Sequence, residues 1–269
     1  MNYADFFRQS GLDRSDTLAL FTHATGLNRA WLIAHDRDEI SPEHLAALQG
    51  LIARRQAGEP IAYIVGFREF FGRDFAVNPA VLIPRPDTEL LVELALEHAP
   101  QQARVIDLGT GSGCIPVTIK LERPDLDVSA LDISPAALDT ARNNAERLGA
   151  AVRFLQSDWF AAVGEEVFDL IVSNPPYIHR EDRHLAQGDL RFEPRGALTD
   201  EADGLVHLRH IVQAAKSKLK AGGWLLMEHG WDQGAACREL LAQAGYANVA
   251  TWQDLGGNDR VSGGRATSP

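Results

Sequence analysis

From residue 103 onward, short apolar runs alternate with longer segments whose apolar residues recur at helical spacing. The short runs are typical of buried strands, which we predict at 103–107, 127–131, 151–155, 167–173 and 223–228. Helices are predicted at 114–121, from Ser134-Pro135 to a stop at Gly149, at 205–219 and at 233–244. This alternation predicts an α/β fold with a mainly parallel sheet, in which ligands bind at the carboxyl ends of the strands.

The first 58 residues show a helical pattern. Ser41 is suited to cap a helix and Pro42 to occupy its first position, and apolar residues then recur at helical spacing until Gly58. An earlier helix is predicted at about 16–25. We therefore predict a small helical bundle over 1–58 that serves as a docking or stabilising module.

Two stretches lie outside these patterns. Within 59–84, aromatic and β-branched runs at 61–66, 70–72 and 75–77 are punctuated by glycine and predict a β-hairpin. Residues 81–86 are expected to be extended because of their prolines, and Asp87 or Thr88 to cap the helix that follows. The long polar stretch at 179–204 is expected to be a lid or disordered.

The junction after the fourth predicted strand carries the segment Ser173-Asn174-Pro175-Pro176-Tyr177. Two prolines remove two backbone N–H donors and fix φ, so the strand cannot continue, while the carbonyls stay free to accept. Asn174 adds a carboxamide with two donors and an acceptor, and Tyr177 adds a flat apolar face. The segment is suited to hold a planar group that carries N–H donors, such as an amide or an exocyclic amine, although Asn-Pro is also a common turn former.

The first predicted strand ends in Asp107 and leads into the turn Gly109-Thr110-Gly111-Ser112-Gly113. Such glycines let the backbone approach a ligand closely, and the predicted helix behind them offers free N–H groups. A dinucleotide fingerprint needs a glycine where Cys114 stands, so that motif is broken. Asp132 ends the second strand, where a carboxylate can accept from ribose hydroxyls, and Asp107 can brace the turn or meet a ligand ammonium.

Composition narrows the class of partner. Among 269 residues, 26 are Lys or Arg and 37 are Asp or Glu, and the formal net charge of −11 disfavours general binding to nucleic acid. Cys114 and Cys237 form no framework or metal pattern and the histidines show no metal-ligand spacing, so we expect a reducing compartment and no metal site. No signal peptide and no membrane-spanning stretch is visible, and we predict a cytoplasmic protein.

Several motifs together resemble one family, the peptide chain release factor N5-glutamine methyltransferases (HemK/PrmC family). The resemblance covers nearly the whole chain, and its most specific part is the segment 59–89, where Asp87 stands in place of the family's usual Glu. The motifs that carry it are Glu59-Pro60-Ile61-Ala62-Tyr63-Ile64, Glu69-Phe70-Phe71-Gly72, Val81-Leu82-Ile83-Pro84-Arg85-Pro86-Asp87-Thr88-Glu89, Asp107-Leu108-Gly109-Thr110-Gly111-Ser112-Gly113, Ser173-Asn174-Pro175-Pro176-Tyr177-Ile178 and Glu193-Pro194.

The resemblance implies a class I S-adenosylmethionine-dependent methyltransferase fold, with a Rossmann-like, mainly parallel sheet of seven strands. It implies a helical substrate-docking domain at 1–58, a β-hairpin linker at 59–84 and a catalytic domain at 85–269. The substrate would be the Gln of the Gly-Gly-Gln motif in class I peptide chain release factors, methylated on its side-chain nitrogen, N5. We expect a monomer that has no nucleic-acid substrate and no membrane contact.

On this interpretation the Asn-Pro-Pro-Tyr segment is catalytic and binds the substrate. Asn174 would accept one amide N–H through its side-chain oxygen and the Pro175 carbonyl would accept the other, with Pro176 beside them and Tyr177 packed against the flat carboxamide. The amide nitrogen would then face the methyl group of the cofactor, so that alignment rather than a strong base drives the transfer.

The same interpretation assigns the residues that bind S-adenosylmethionine and its product S-adenosylhomocysteine. The glycine turn would approach the methionine part, Asp132 would accept from the ribose hydroxyls, Trp159 could stack on the adenine and Asp158 could accept from its amino group. The full set of predicted cofactor-binding residues is Asp107, Gly109, Thr110, Gly111, Ser112, Gly113, Asp132, Asp158, Trp159 and Asn174.

Two other functions stay open. An adenine-N6 methyltransferase acting on DNA or RNA would use the same segment on an exocyclic amine, but it should carry a basic face or a target-recognition domain. A non-enzymatic scaffold with a vestigial site is at odds with the intact glycine turn, Asp132 and Asn174. A labelled methyl-transfer assay with nucleic-acid and protein acceptors would separate these functions.

Overall fold

The computed structural model describes residues 1–267. Its N-terminal part is the predicted helical bundle, with α1 (Tyr3–Gln9), α2 (Arg14–Thr25), α3 (Arg29–Ala34) and α4 (Pro42–Gln56). Each helix begins with a polar side chain that accepts from a backbone N–H of the first turn; these residues are Asn2, Asp13, Asn28 and Ser41. The four helices bury Tyr3, Phe21 and Leu48 in one core.

The segment after this bundle is only partly a hairpin. Strand β1 (Phe67–Phe70) pairs antiparallel with β2 (Arg73–Ala76), but residues 61–65, predicted as part of the hairpin, form helix α5 (Ile61–Val65). Ile64 joins the N-terminal core, whereas Tyr63 packs near Val81 and donates its hydroxyl to the Val81 carbonyl at 2.7 Å. The prediction was wrong because an apolar run that is buried on several sides has no periodicity to separate helix from strand.

The rest of the chain contains a seven-stranded sheet and the helices that cover it. Its strands are β3 (Arg104–Leu108), β4 (Asp127–Asp132), β5 (Arg153–Gln156), β6 (Phe168–Ser173), β7 (Leu219–Glu228), β8 (Ala247–Gln253) and β9 (Asp259–Arg265). The spatial order is β5-β4-β3-β6-β7-β9-β8, in which β9 runs antiparallel to both neighbours and the other pairs are parallel. This confirms the mainly parallel, seven-stranded sheet, and it brings the ends of β3, β4, β5 and β6 to one edge.

The last two strands have no clear strand pattern in the sequence, and only the family resemblance implied them. β8 lies at the sheet edge, where none of its side chains is fully buried. β9 contains Gly263 and Gly264, and a side chain at Gly263 would come within 2.6 Å of the Leu225 carbonyl oxygen. β9 therefore owes its position to the close packing of its backbone against β7, and not to an alternation of apolar and polar residues along the strand.

Helices cover both faces of the sheet: α6 (Glu89–His98), α7 (Cys114–Glu122), α8 (Pro135–Leu148), α9 (Val206–Ala215) and α10 (Gly234–Gln243). α6 and α7 pack on one face around Val105 and Leu170, and α9 and α10 pack on the other around Ile106 and Ile171. The helix predicted at 205–219 is shorter than expected, since Leu219 already belongs to β7. Within residues 1–267, no helix is both long and apolar enough to cross a membrane.

Gly113 stands at a point where α7 and α8 approach closely, so its replacement by alanine is expected to destabilise the fold. Gly113 has φ of +79°, and an added Cβ would lie 3.0 Å from the Cβ and 3.1 Å from the Cα of Ala141. Gly149, at the end of α8, has φ of +77° and open space around it. G149A should lower the free energy of unfolding by about 1–2 kcal/mol, and G113A by at least about 1 kcal/mol more. Equal urea midpoints for the two variants would contradict this.

Candidate active site

The glycine turn after β3 is held in place by β4. The N–H groups of Gly109 and Thr110 both donate to the Leu131 carbonyl at 2.9 Å. The N–H of Gly111 donates to Asp132 Oδ2, and the N–H of Ser134 donates to Asp132 Oδ1, each at 2.9 Å. Asp132 thus braces the turn and the start of α8, and each of its oxygens keeps one further lone pair for a ligand.

Asp107 lies beneath the turn and is fully buried. Neither of its carboxylate oxygens has a hydrogen-bond partner within residues 1–267. Burial and the neighbouring Asp132 carboxylate together raise the pKa of Asp107 to about 7, although the nearby Thr110 side chain opposes the rise. Of the two roles that the sequence allows for Asp107, bracing the turn is not seen, so its carboxyl group remains available for a ligand.

The Asn-Pro-Pro-Tyr segment begins where β6 ends. The hydroxyl of Ser173 donates to the Leu108 carbonyl at 2.8 Å and ties the segment to β3. The Asn174 side chain donates through Nδ2 to the Thr88 hydroxyl at 3.2 Å, whereas no group within the described residues donates to its Oδ1. Thr88, predicted as a possible helix cap, makes no cap hydrogen bond and instead orients Asn174. The carboxamide therefore offers a free acceptor.

Tyr177 is anchored from behind the segment. Its hydroxyl donates to Glu228 Oε1 at 3.0 Å, and its ring packs against the core between the sheet and α9. Burial, together with the Glu228 carboxylate, raises the pKa of Tyr177 far above its usual range. Tyr177 therefore stays protonated at neutral pH and acts as a hydrogen-bond donor.

A cavity of about 360 Å³ opens at the carboxyl edge of the sheet beside these groups. The structure brings most of the predicted site residues to its wall: Gly109, Thr110, Gly111, Ser112, Asp132, Asp158, Trp159, Asn174 and Pro176. Four other predicted site residues are not among those that line it, namely Asp107, Gly113, Pro175 and Tyr177. The cavity shows that segments far apart in the chain meet in one crevice, as the strand-end positions predict.

Trp159 and His207 form one side of the cavity. Trp159 has φ of +45°, and its ring centroid lies 5.2 Å from that of His207 and 5.9 Å from that of His210. Burial lowers the pKa of His207, so this side chain is neutral at physiological pH. An aromatic wall without charge is suited to a flat ring, which fits the predicted adenine contact of Trp159. His207 itself carried no signal in the sequence.

A second wall comes from two segments that are about a hundred residues apart in the chain. One includes Val81, Pro84 and Arg85, and the other includes Pro194 and Ala197. They are joined by Glu193, a side chain with no exposed surface, which accepts from the Ile83 N–H at 2.9 Å and from the Arg85 guanidinium. Both segments were marked only by the family resemblance, which included residues 81–89 and Glu193-Pro194.

The stretch 179–204, expected as a lid or as disordered, is anchored to the N-terminal helices. It contains short 3-10 turns, one of which spans Gly188–Phe192. Arg55 of α4 pairs with Asp189 at 2.8 Å, and Arg191 donates to the Ala57 carbonyl at 3.2 Å. α4 and the cavity wall at Pro194 are therefore connected through a few residues.

Two observations bear on other kinds of site. Within residues 1–267, no group of three or more His, Cys, Asp or Glu side chains is arranged to hold a metal ion. Cys114 and Cys237 are buried free thiols, and burial raises the pKa of each to about 12. These thiols are therefore uncharged at neutral pH, and Cys114 contributes packing at the start of α7.

Comparison with known proteins agrees with this architecture. Residues 86–191 match the family described as "Methyltransferase small domain", and residues 2–66 match "PrmC N-terminal domain". The release factor glutamine methyltransferase of Bordetella pertussis is 56% identical over 263 residues, which cover 97% of each chain. That of Escherichia coli is 46% identical over 254 residues, 94% of this chain and 92% of the relative.

Solved structures show the same fold at lower identity. A methyltransferase from Pyrococcus furiosus superposes with a TM-score of 0.57 at 18% identity, over 80% of this chain and 98% of that one. A Thermus thermophilus 16S rRNA N2 G1207 methyltransferase, solved with AdoMet and guanosine, gives a TM-score of 0.54 at 22% identity, over 74% and 49%. The N-terminal match ends at 66 rather than at the predicted boundary of 58, and the domain boundaries stay a prediction.

Proposed function

We propose, since this chain belongs to the release factor glutamine methyltransferase family, that it methylates N5 of the glutamine in the Gly-Gly-Gln motif of class I release factors. The methyl donor would be S-adenosylmethionine. The observation that carries the proposal is the Asn174 carboxamide, which Thr88 holds by its Nδ2 so that Oδ1 is free beside the cavity. A glutamine side chain presents the complementary N–H donors.

The residues present fit the proposed cofactor. When bound, S-adenosylmethionine supplies a methyl group on a positively charged sulfur. Its ammonium would find a partner in Asp107, whose buried carboxylate oxygens otherwise have none. Gly109 and Gly111 have positive φ and open space where a Cβ would stand, so backbone can approach the methionine part. Asp132 keeps lone pairs for the ribose, and Trp159 with His207 would face the adenine.

In the proposed mechanism, the chain aligns the nucleophile and excludes water. Asn174 Oδ1 accepts one N–H of the substrate amide. Acceptance of the other N–H by the Pro175 carbonyl stays a prediction, because Pro175 does not line the cavity. Pro176 lines the cavity beside them, and the Tyr177–Glu228 hydrogen bond keeps the segment from shifting. The contact of the Tyr177 face with the substrate stays a prediction, because Tyr177 is not among the residues that line the cavity. The cytoplasmic location of the protein also stays a prediction.

Cofactor binding is expected to release a proton from Asp107 near neutral pH. The pKa of Asp107 is about 7 in the free protein, and a bound ammonium would lower it because it favours the carboxylate. Binding therefore takes the group from partly protonated to ionised, and affinity should rise as pH increases through 7. Calorimetry at pH 7 in buffers of different ionisation enthalpy measures the proton directly. D107N should remove the buffer dependence; if it keeps the same proton release, another group is responsible.

The function itself is tested by mass spectrometry of an unmodified class I release factor after incubation with this protein and S-adenosylmethionine. One added methyl group on the Gly-Gly-Gln glutamine is the expected result. A nucleic-acid acceptor is incubated in parallel. Methylation of the nucleic acid alone, with cofactor binding confirmed by calorimetry, would refute the protein substrate and favour an exocyclic amine.

A further inference from the structure

The part of the chain that builds the sheet exposes its large apolar side chains at the carboxyl edge, where the cavity opens. Within residues 85–267, these side chains are Ile133, Val206, Trp231 and Leu255. Ile133 follows β4, Trp231 follows β7 and Val206 begins α9. Leu255 lies in the turn between β8 and β9, and the antiparallel pairing of β9 with β7 brings that turn to the carboxyl end of β7. Scattered side chains of this kind need no explanation, whereas their concentration at one edge indicates an interaction surface.

Trp231 is 68% exposed and stands at the tip of a tight turn that connects β7 with α10. The Gln233 N–H donates to the Gly230 carbonyl at 2.9 Å, and the Gly230 N–H donates to Gln233 Oε1 at 2.8 Å. Gln233 Nε2 donates to the Tyr177 carbonyl at 3.0 Å and to the Gly204 carbonyl at 3.3 Å. The turn that carries Trp231 is therefore fixed to the Asn-Pro-Pro-Tyr segment, and a partner that covers it has little flexibility to remove.

Val206 is held beside the same segment. Gly204 has φ of +78°, and an added Cβ would lie 2.4 Å from the Tyr177 carbonyl oxygen, so the chain passes here with no room for a side chain. The Asp200 carboxylate accepts from the N–H of Gly204 at 3.0 Å and from that of Val206 at 2.8 Å. Val206 and Trp231 each stand two residues in the chain from the hydrogen bonds that join these segments.

The size of protein interfaces shows how far a bound protein substrate would extend from the cavity. A standard interface covers about 800 Å² on each partner, equivalent to a disc with a radius of about 16 Å. The turn between β8 and β9 is three strands away from the end of β6, which corresponds to about 14 Å. Because a glutamine side chain is short, the protein that carries it must lie against this edge and would cover both Trp231 and Leu255. A second copy of this chain would instead lie across the approach to the cavity.

We infer that Trp231, Leu255 and Val206 form a docking surface for the release factor, which covers them with an apolar patch beside the loop that carries its glutamine. This inference rests on the proposed function, and it adds a contact outside the predicted docking helices at 1–58. Ile133 is not included, because it lines the cavity. Trp is enriched among the residues that carry most of the binding energy of an interface, so Trp231 is the main contact and Leu255 and Val206 are secondary.

Calorimetric titration of an unmodified class I release factor, in the presence of S-adenosylhomocysteine, measures this docking. W231A is expected to raise the Kd for the release factor by at least about 30-fold, the usual effect of truncating a central Trp of an interface. L255A should raise it by a smaller factor, and W231F should restore most of the affinity that W231A loses. The Kd for S-adenosylmethionine, kcat at saturating release factor and Tm should stay close to wild type, since Trp231 is exposed and does not line the cavity.

F67A is the matched control, because Phe67 is also an exposed aromatic residue but lies on β1, outside the seven-stranded sheet. It should leave the Kd for the release factor at wild type. An unchanged Kd for W231A, or equal losses for W231A and F67A, would overturn the inference. So would a wild-type dimer in sedimentation that W231A dissociates without weakening the release factor, since a second copy would then cover this surface. If the wild type does not methylate the release factor at all, the proposed function fails; if it does and W231A docks normally, only this inference fails.

Discussion

Replacing Asn174 by alanine is expected to lower turnover by roughly 10²–10³-fold, the effect of removing one preorganised group that is aimed at a reacting centre. The structure leaves Asn174 Oδ1 without a donor while Nδ2 is held by Thr88, so the side chain has a defined free end. Without it, one N–H of the substrate amide has no acceptor and the nitrogen loses its alignment with the methyl group. Cofactor affinity should change by less than a few-fold, because the glycine turn, Asp107 and Asp132 are untouched.

Single-turnover methylation, followed by mass spectrometry, and calorimetry with S-adenosylmethionine measure the two quantities separately. N258A is a suitable control, since Asn258 is an exposed asparagine in the turn between β8 and β9. It should leave both values at wild type. A loss of cofactor affinity in N174A that matches the loss of turnover would contradict the assigned role and place Asn174 with the cofactor.

The second large effect is expected for E193A. The Glu193 side chain has no exposed surface and holds the Ile83 N–H and the Arg85 guanidinium, so its removal leaves two buried or half-buried donors unpaired. Breaking a buried pair in this way lowers the free energy of unfolding by about 3–5 kcal/mol. Because the Arg85 side chain is one-third exposed, we expect a loss of about 3 kcal/mol for E193A. The cavity wall at Pro194 also loses its support, and we expect cofactor affinity to fall by at least about tenfold, equivalent to 1.4 kcal/mol.

E201A is the matched control for this variant within the same segment. Glu201 pairs with Arg195, but both side chains are 57% exposed, and exposed pairs contribute little to stability. Urea unfolding should therefore separate the two variants clearly, and calorimetry should show reduced cofactor affinity for E193A alone. Similar unfolding midpoints for E193A and E201A would mean that the wall is not held by Glu193.

Local sequence patterns predicted the helices and strands whose ends and apolar spacing are set by residues close together in the chain. The start and stop of α8 are confirmed, since the Ser134 hydroxyl accepts from the Ala137 N–H and Gly149 takes the left-handed conformation. The helix α5 and the strands β8 and β9 were mistaken or missed because their conformations are imposed by neighbours in space. For the strands, the decisive contact is the approach of Gly263 to the β7 backbone, which leaves no trace in a hydropathy pattern.

In the candidate site, too, the sequence predicted some features and missed others. The glycine turn and the Asn-Pro-Pro-Tyr segment could be found because their chemistry lies in consecutive residues at strand ends. The sequence did not reveal that Asp132 braces the turn or that Thr88 holds Asn174. The second contact joins residues 86 positions apart in the chain. The wall built by Glu193 and Ile83 spans 110 positions. Only the resemblance to a family marked those segments.

The connection from α4 to the cavity wall has a thermodynamic consequence. Arg55 and the Ala57 carbonyl hold the turn at Gly188–Phe192, and Glu193 directly after it holds the wall. A partner that binds α4 with different affinity in two arrangements of this turn changes the affinity for the cofactor when the cofactor also binds those two arrangements with different affinity. By reciprocity the cofactor then changes the affinity for that partner by the same factor. The coupling free energy between the N-terminal helices and the cavity is thus measurable from either end, and R55A should reduce it from both.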